Sequence, residues 1–223
     1  MGISQSLRSY FRMHQIPFKA CDNISQWLHE DDLKKLEKEL TSKFDEVLKT
    51  LLIDLENDEN SRDTGARLAK MYLYEVMGGR YLRRPKVAAF PNDGEHKYEG
   101  MLVVRSEIKS VCAHHHQPVS GICYIGIIPG EKVIGLSKYS RIAQWCARRG
   151  TLQEELTTQI ANEIKEITES KDIGVHIEAE HGCCTNRGIM AASSLTQTTV
   201  LSGEFQKPDV KAEFFENIKL QKR

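Results

Sequence analysis

The chain has 223 residues, and its 31 Lys and Arg balance 31 Asp and Glu, for a net charge of zero. That length suits one domain with an extension and a core that needs no covalent staples, and 40% hydrophobic with 28% charged residues is a globular composition. Zero net charge excludes a protein that coats nucleic acid by charge alone, no apolar run approaches the roughly 18 residues of a membrane span, and six cysteines are too few for a disulfide scaffold of this size.

Residues 1–30 show no clear periodicity and read as a flexible, basic tail, with Arg8, Arg12 and Lys19 and no acid before Asp22. That stretch faintly resembles an organelle presequence, and its first residues, Met1-Gly2-Ile3-Ser4-Gln5-Ser6, fit a short pattern for myristoylation at Gly2. A helical extension follows over 31–60. Leu33, Leu36, Leu40, Phe44, Val47, Leu48, Leu51 and Leu55 recur at threes and fours, which predicts one amphipathic helix ending in the polar run 56–60. A second helix is expected from Asp63 to Met77, stopped by Gly78-Gly79. Residues 80–97 read as a loop.

The period then changes. Met101–Val111, Ile122–Ile128 and Lys132–Leu136 are rich in Val and Ile and suit strands. Pro129-Gly130 predicts a hairpin between the last two. A helix is expected from Lys138 to Gly150, and another carries Leu152, Leu156, Ile160, Ile164 and Ile167 on one face. In the next strand Val175, Ile177 and Ala179 face one side while His176, Glu178 and Glu180 face the other. A strand over Ser194–Leu201 and a helix over Val210–Ile218 complete an α+β pattern.

The chemistry concentrates in two clusters, Cys112-Ala113-His114-His115-His116 and His181-Gly182-Cys183-Cys184. Each follows a predicted strand, where a rigid element can aim side chains at one point. Cys and His are the donors zinc prefers, and Cys112 and His115 have the spacing that lets a loop grip one ion. A third ligand from the distant cluster would leave a corner of the tetrahedron for water and make a catalytic centre. A fourth would close it and make a structural one. The donors present allow both.

In sequence order, the chain resembles the GTP cyclohydrolase I family at several motifs. Ser110-Val111-Cys112-Ala113-His114-His115 stands where the family has Ser-x-Cys-Glu-His-His, and Glu178-Ala179-Glu180-His181-Gly182-Cys183-Cys184-Thr185-Asn186-Arg187-Gly188 stands for Glu-Ala-x-His-x-Cys-Met-x-x-Arg-Gly. Between them, Gly135-Leu136-Ser137-Lys138 with Arg141-Ile142, then Arg148-Arg149 and Gln153-Glu154-Glu155-Leu156-Thr157, are similar to family motifs, as is Thr64-Gly65-Ala66-Arg67 with Lys70-Met71-Tyr72 and Glu75 upstream. The likeness spans roughly residues 60–206.

The resemblance implies a tunnelling fold. In it a helix pair packs on a four-stranded antiparallel sheet, and the sheets of several subunits join into a barrel. Here residues 61–223 would be the catalytic domain. It implies a homodecamer of two pentamers, with active sites at subunit interfaces, in the cytoplasm. It implies Zn2+ held by Cys112, His115 and Cys183, acid–base histidines at His114 and His181, and guanine recognition by Glu154 with Gln153 beside it. Ser137 would lie near the ribose and phosphates, and the triphosphate would meet Lys138, Arg141, Arg187 and Arg67, the last lent by a neighbouring subunit. The implied reaction hydrolyses and rearranges GTP to 7,8-dihydroneopterin triphosphate and formate, the first step of pterin biosynthesis.

Four departures stand out: Ala113 for Glu, Cys184 for Met, His116 for an apolar residue and Gly65 for Pro. Losing the carboxylate beside the metal site removes a candidate orienting group. The alternatives are therefore a nucleotide-binding homologue with weak or no turnover, or action on a related purine nucleotide. Without the resemblance, Thr151-Leu152-Gln153-Glu154 reads as a capping box and the Lys138 to Arg149 cations as a solvated helix face. A nucleic-acid-binding structural zinc module would need four ligands at finger-like spacing and a basic face, and no nucleic acid or stable membrane insertion is expected.

Overall fold

The computed structural model describes residues 2–222. The chain divides into two compact units, Met1–Arg83 and Arg84–Arg223, and each is taken by itself.

The first unit is helical: α1 (Ile3–Met13), α2 (Glu30–Thr50), α3 (Thr64–Lys70), which runs on as a π-helical turn over Met71–Val76, and α4 (Gly78–Tyr81). Helix α1 lies inside the stretch read as a flexible tail. Phe11 is buried, with the rings of Phe18 and Trp27 at 5.7 and 6.5 Å, and the backbone N–H of Ser4 donates to Glu39 of α2 at 3.0 Å. Ile3, Leu7 and Phe11 do recur every fourth residue, but over only two turns. At the start of α2 the Asp32 carboxylate accepts the His29 N–H at 2.9 Å, and Glu30, Asp31 and Asp32 suit the positive end of the helix dipole. This helix stops at Thr50, short of the expected Leu55. Leu52 takes a positive φ of 61° and is exposed, and the turns after it are pinned by Asp54 and Asp58 accepting backbone N–H groups. Arg80 is buried, its guanidinium donating to the carbonyls of Phe18 and Asp22 at 3.0 Å each.

The second unit holds an antiparallel sheet in the order β2 (Leu102–Val111), β3 (Pro118–Ile127), β5 (Ile173–His181), β6 (Thr196–Ser202). Helices α5 (Leu136–Ala147) and α6 (Gln153–Thr168) cover one face. The core between them contains Ile108, Ile125, Ile142, Ile160, Ile164, Val175 and Ile177, with Val175, Ile177 and Ala179 pointing inward as the alternation requires. Cys123 and Cys146 lie in this core, where burial pushes the Cys146 thiol up to about 12 and the Cys123 thiol higher still. They are packed, inert thiols.

Helix α8 (Pro208–Leu220) packs on the other face through Phe214 and Ile218, beside Phe205 of the short turn before it. Gly126 and Gly174 are register partners across β3 and β5, and together they open the hollow these rings fill. A Cβ on Gly126 would stand 2.6 Å from Phe205 and 2.7 Å from Phe214, and one on Gly174 2.7 Å from Phe205.

The expected hairpin at Pro129-Gly130 does not form. Strand β4 (Lys132–Ile134) pairs instead with β1 (Ala89–Pro91), inside the stretch read as loop. Both are three residues long and β1 is wholly exposed, so neither carries an apolar alternation that sequence could reveal. Asn92 braces this corner, donating to the carbonyls of Tyr98 and Gly130 at 2.9 and 2.8 Å. Among the described residues no helix is long and apolar enough to cross a membrane. Mixed helix and antiparallel sheet is thus the architecture, as expected.

Candidate active site and metal centre

Topology brings the two clusters together. Strand β2 ends at Val111, opposite Pro118 at the start of β3, and β3 starts opposite the end of β5, with Val119 facing His181. The turn 112–117 and the segment after His181 therefore share one end of the sheet. The turn is tight. Cys112 N–H donates to the Gln117 carbonyl at 3.0 Å and His116 N–H to the Cys112 carbonyl at 2.9 Å, with His116 at a positive φ of 52°. The Ser110 hydroxyl ties β2 to the last turn of α5 through the Ala147 carbonyl at 2.6 Å. On the other side the single turn α7 (Gly182–Thr185) follows β5 directly. Gly182 allows it, since a Cβ there would press on the Pro118 carbonyl at 3.1 Å.

The result is a compact donor set. Ligand atoms of Cys112, His181 and Cys183 all lie within 4.8 Å of one another, with the Cys112 and Cys183 sulfurs 3.9 Å apart. That is well beyond a disulfide bond, and all six cysteines are free thiols. Cys184 stands beside them, its sulfur 3.9 Å from that of Cys183. Burial, reinforced by the neighbouring thiols, pushes the Cys183 thiol up to about 11, so a cation entering here takes the place of protons. Burial also holds His181 below the ordinary histidine range, against the opposing pull of the Glu154 carboxylate.

His115 is placed differently. It is exposed, and its Nε2 accepts a hydrogen bond from Arg187 Nη1 at 3.1 Å. His114, also exposed, sets its ring edge-on to His115 with centroids 6.3 Å apart. The third corner of the compact set thus belongs to His181. Ala113 is half-buried.

Helix α6 delivers the next pair. The capping box does not form: the cap is Leu152, and the Thr151 hydroxyl donates to Glu155 at 3.1 Å. Glu154 is left exposed to solvent. Gln153 is buried at 3% exposure, with its Oε1 2.7 Å from His181 Nε2. Sequence reasoning missed this contact because 28 residues separate the two and no spacing rule joins them. Ser137, Lys138 and Arg141 sit in the first turns of α5, two exposed and Lys138 half-buried. The end of α5 tied to Ser110 lies nine residues beyond Lys138, about 13 Å along the helix. Arg67 belongs to the first unit, exposed on α3 with Asp63 at 3.7 Å.

A family profile described as GTP cyclohydrolase I matches residues 40–219. A protein named GTP cyclohydrolase 1 from Flavobacterium johnsoniae is 36% identical over 193 residues, 86% of this chain and 83% of that one. The protein of that name from Aeromonas hydrophila is 40% identical over 176 residues, covering 78% and 79% of the two chains, and the one from Photobacterium profundum is 39% identical over 177 residues, covering 78% and 80%. With a profile spanning most of its length and relatives this similar, the chain belongs to the GTP cyclohydrolase I family.

Proposed function

We propose that the protein is a zinc-dependent GTP cyclohydrolase that converts GTP and water to formate and 7,8-dihydroneopterin triphosphate, opening a pterin pathway. The observation that carries this reading is the convergence of Cys112, His181 and Cys183 inside a chain of this family. Two zinc–sulfur bonds of about 2.3 Å at a tetrahedral angle set sulfurs about 3.8 Å apart, and 3.9 Å separates them here. The donors are thus of the right kind and spacing. Cys112 and Cys183 would hold the ion, with His115 as third ligand once it leaves Arg187. When bound, zinc supplies a water acidified to near neutrality.

The protein groups do the rest. His114 and His181 move protons at the purine and at the opening ring, work suited to imidazole near neutral pH. Exposed Glu154 accepts the N1–H and 2-amino protons of guanine as a bidentate carboxylate. Lys138, Arg141, Arg187 and Arg67 answer the triphosphate, with Ser137 near the ribose.

The second unit by itself holds Lys138 and Arg141 apart from the thiols. Lys138 and Arg141 start α5, while the thiols lie beyond its far end. We therefore place the sites between subunits of a homo-oligomer, two stacked pentamers whose sheets join into a barrel. Supporting this, β2 and β6 are open sheet edges that another copy can pair, and Ile189, Met190 and Leu195 stand exposed close after Arg187. Residues 61–223 form the catalytic domain in this reading, with 31–60 as a helical extension. Three thiols at one centre suit a reducing, cytoplasmic compartment.

The test is incubation of zinc-loaded protein with GTP. Equimolar formate and, after oxidation, a fluorescent pterin are expected, and a chelator stops both. Full zinc content with no formate at high enzyme concentration refutes the reading. Ala113 in place of the motif Glu favours one second reading, a nucleotide-binding homologue without turnover, which calorimetry would show as GTP binding with no product.

A further inference from the structure

The Gln153 side chain sits in a hydrogen-bond network that admits one orientation. Its Nε2 faces the backbone carbonyls of Ile177 at 3.2 Å and Thr196 at 3.0 Å. Neither carbonyl has a proton to give, so the amide must present its NH2 to them. A closed circuit of hydroxyls agrees. Thr157 donates to the Gln153 carbonyl at 2.7 Å, so the 2.6 Å contact between the Thr157 and Thr198 hydroxyls is donated by Thr198. That leaves the Thr198 oxygen to accept from Gln153 Nε2 at 3.2 Å. Flipping the amide would set its oxygen against two carbonyl oxygens inside the protein, leaving buried groups unsatisfied. The Oε1 atom therefore points the other way, to His181 Nε2 at 2.7 Å.

An amide oxygen only accepts. From this we infer that Gln153 is a positioning residue for His181, holding the neutral imidazole as the tautomer with its proton on Nε2 and its lone pair on Nδ1. Nδ1 is then the atom through which His181 takes and returns a proton, or meets a metal ion, and the ring cannot turn without breaking the pair. Gln153 is 3% exposed with every polar atom of its amide engaged, so it serves the imidazole and not the purine that its place beside Glu154 suggested. The energetic logic is that of an outer group fixing the orientation of a working histidine. Its sources are distributed: the start of α6, the middle and end of β5, and β6.

This inference rests on the reading of His181 as a working residue of the centre, but the first arm of its test does not need turnover. Metal-free protein carrying 15N-labelled histidine is examined by NMR. The wild type should show a bare Nδ1 and a protonated Nε2 at His181, with the Nε2 proton slow to exchange with solvent. Gln153→Met, of similar length without an acceptor, should lose that protected proton. The second arm is kinetic, with zinc-loaded protein. Gln153→Met should lower kcat by about 10- to 100-fold, the range for outer groups at such centres, with KM for GTP within about twofold. A wild-type proton on Nδ1, or a protected Nε2 proton that survives Gln153→Met, overturns the inference. So does a raised KM at unchanged kcat, which would return Gln153 to purine binding. Failure of the wild type to turn over GTP defeats the proposed function alone, and the wild-type spectrum still decides the tautomer even if a variant does not fold.

Discussion

Replacing Arg187 by Met removes the donor that holds His115 away from the thiols. In the structure the Arg187–His115 hydrogen bond spans 3.1 Å, and it has to break before His115 can serve as a ligand. Hydrogen bonds to charged groups are worth about 1.5–3 kcal/mol when sheltered. Both partners here are exposed, so water competes and the contact costs about 1 kcal/mol to give up. Removing that cost should tighten zinc binding by about fivefold. The assay is competition between metal-free protein and a chelator of known zinc affinity. Loss of a positive charge near a dication also favours binding, so the comparison is made at low and high salt, where the charge effect fades and the hydrogen-bond effect persists. An unchanged affinity at high salt refutes the reasoning. It would mean that His115 is not drawn to the metal and that His181, already beside both sulfurs, is the third ligand.

Three further outcomes are expected. Cys183→Ala should abolish stoichiometric zinc retention after dialysis while Cys146→Ala leaves it intact, because only the first thiol belongs to the donor cluster; elemental analysis reads both. Gly126→Ala should destabilise by about 1–3 kcal/mol through overpacking against Phe205 and Phe214, lowering the melting temperature by about 2–4 °C per kcal/mol; an unchanged melt would show that the rings yield. The metal-free protein should lose stability in acid partly through His181, whose native pKa burial holds below the ordinary value. The unfolded chain then binds more protons there than the folded one, so stability rises with pH. The contribution is complete above about 6.5 and is lost as the pH falls through the depressed native value. Urea titrations at pH about 7.5 and about 5.5 should show a smaller difference for His181→Gln than for the parent.

The sequence was informative where its signals are periodic or dense. The alternation of Val175, Ile177 and Ala179 against His176, Glu178 and Glu180 marks β5 with its correct inward face, and the spacing of Leu156, Ile160 and Ile164 marks α6. The cysteine–histidine clusters were visible because few residue types bind metal. What was hidden depends on contacts between distant segments. Helix α1 is held by Phe11, Phe18 and Trp27 and by Glu39 of α2, none of which a two-turn pattern announces. The turn residues Pro129-Gly130 marked a real change of direction, but β4 found its partner in β1 and not in β3. Thr151 and Glu154 have the spacing of a capping box, yet the Thr151 hydroxyl went to Glu155, leaving Glu154 exposed. Gly65, where the family motif has Pro, stands so close to α2 that a Cβ would fall 3.0 Å from the Thr41 carbonyl, a reason for glycine that no local rule supplies. Of the donors, Cys112 and Cys183 converge with His181, while His115 stands apart on Arg187.

The account stands or falls on two thiolates from separate parts of the chain meeting at one ion that keeps a corner for solvent. X-ray absorption at the zinc edge of the loaded wild-type protein measures this directly. Two sulfur neighbours at about 2.3 Å, with the remaining positions filled by histidine nitrogen and water oxygen, are the predicted shell. Fewer than two sulfurs, or four protein ligands with Cys184 as a third sulfur, would contradict it.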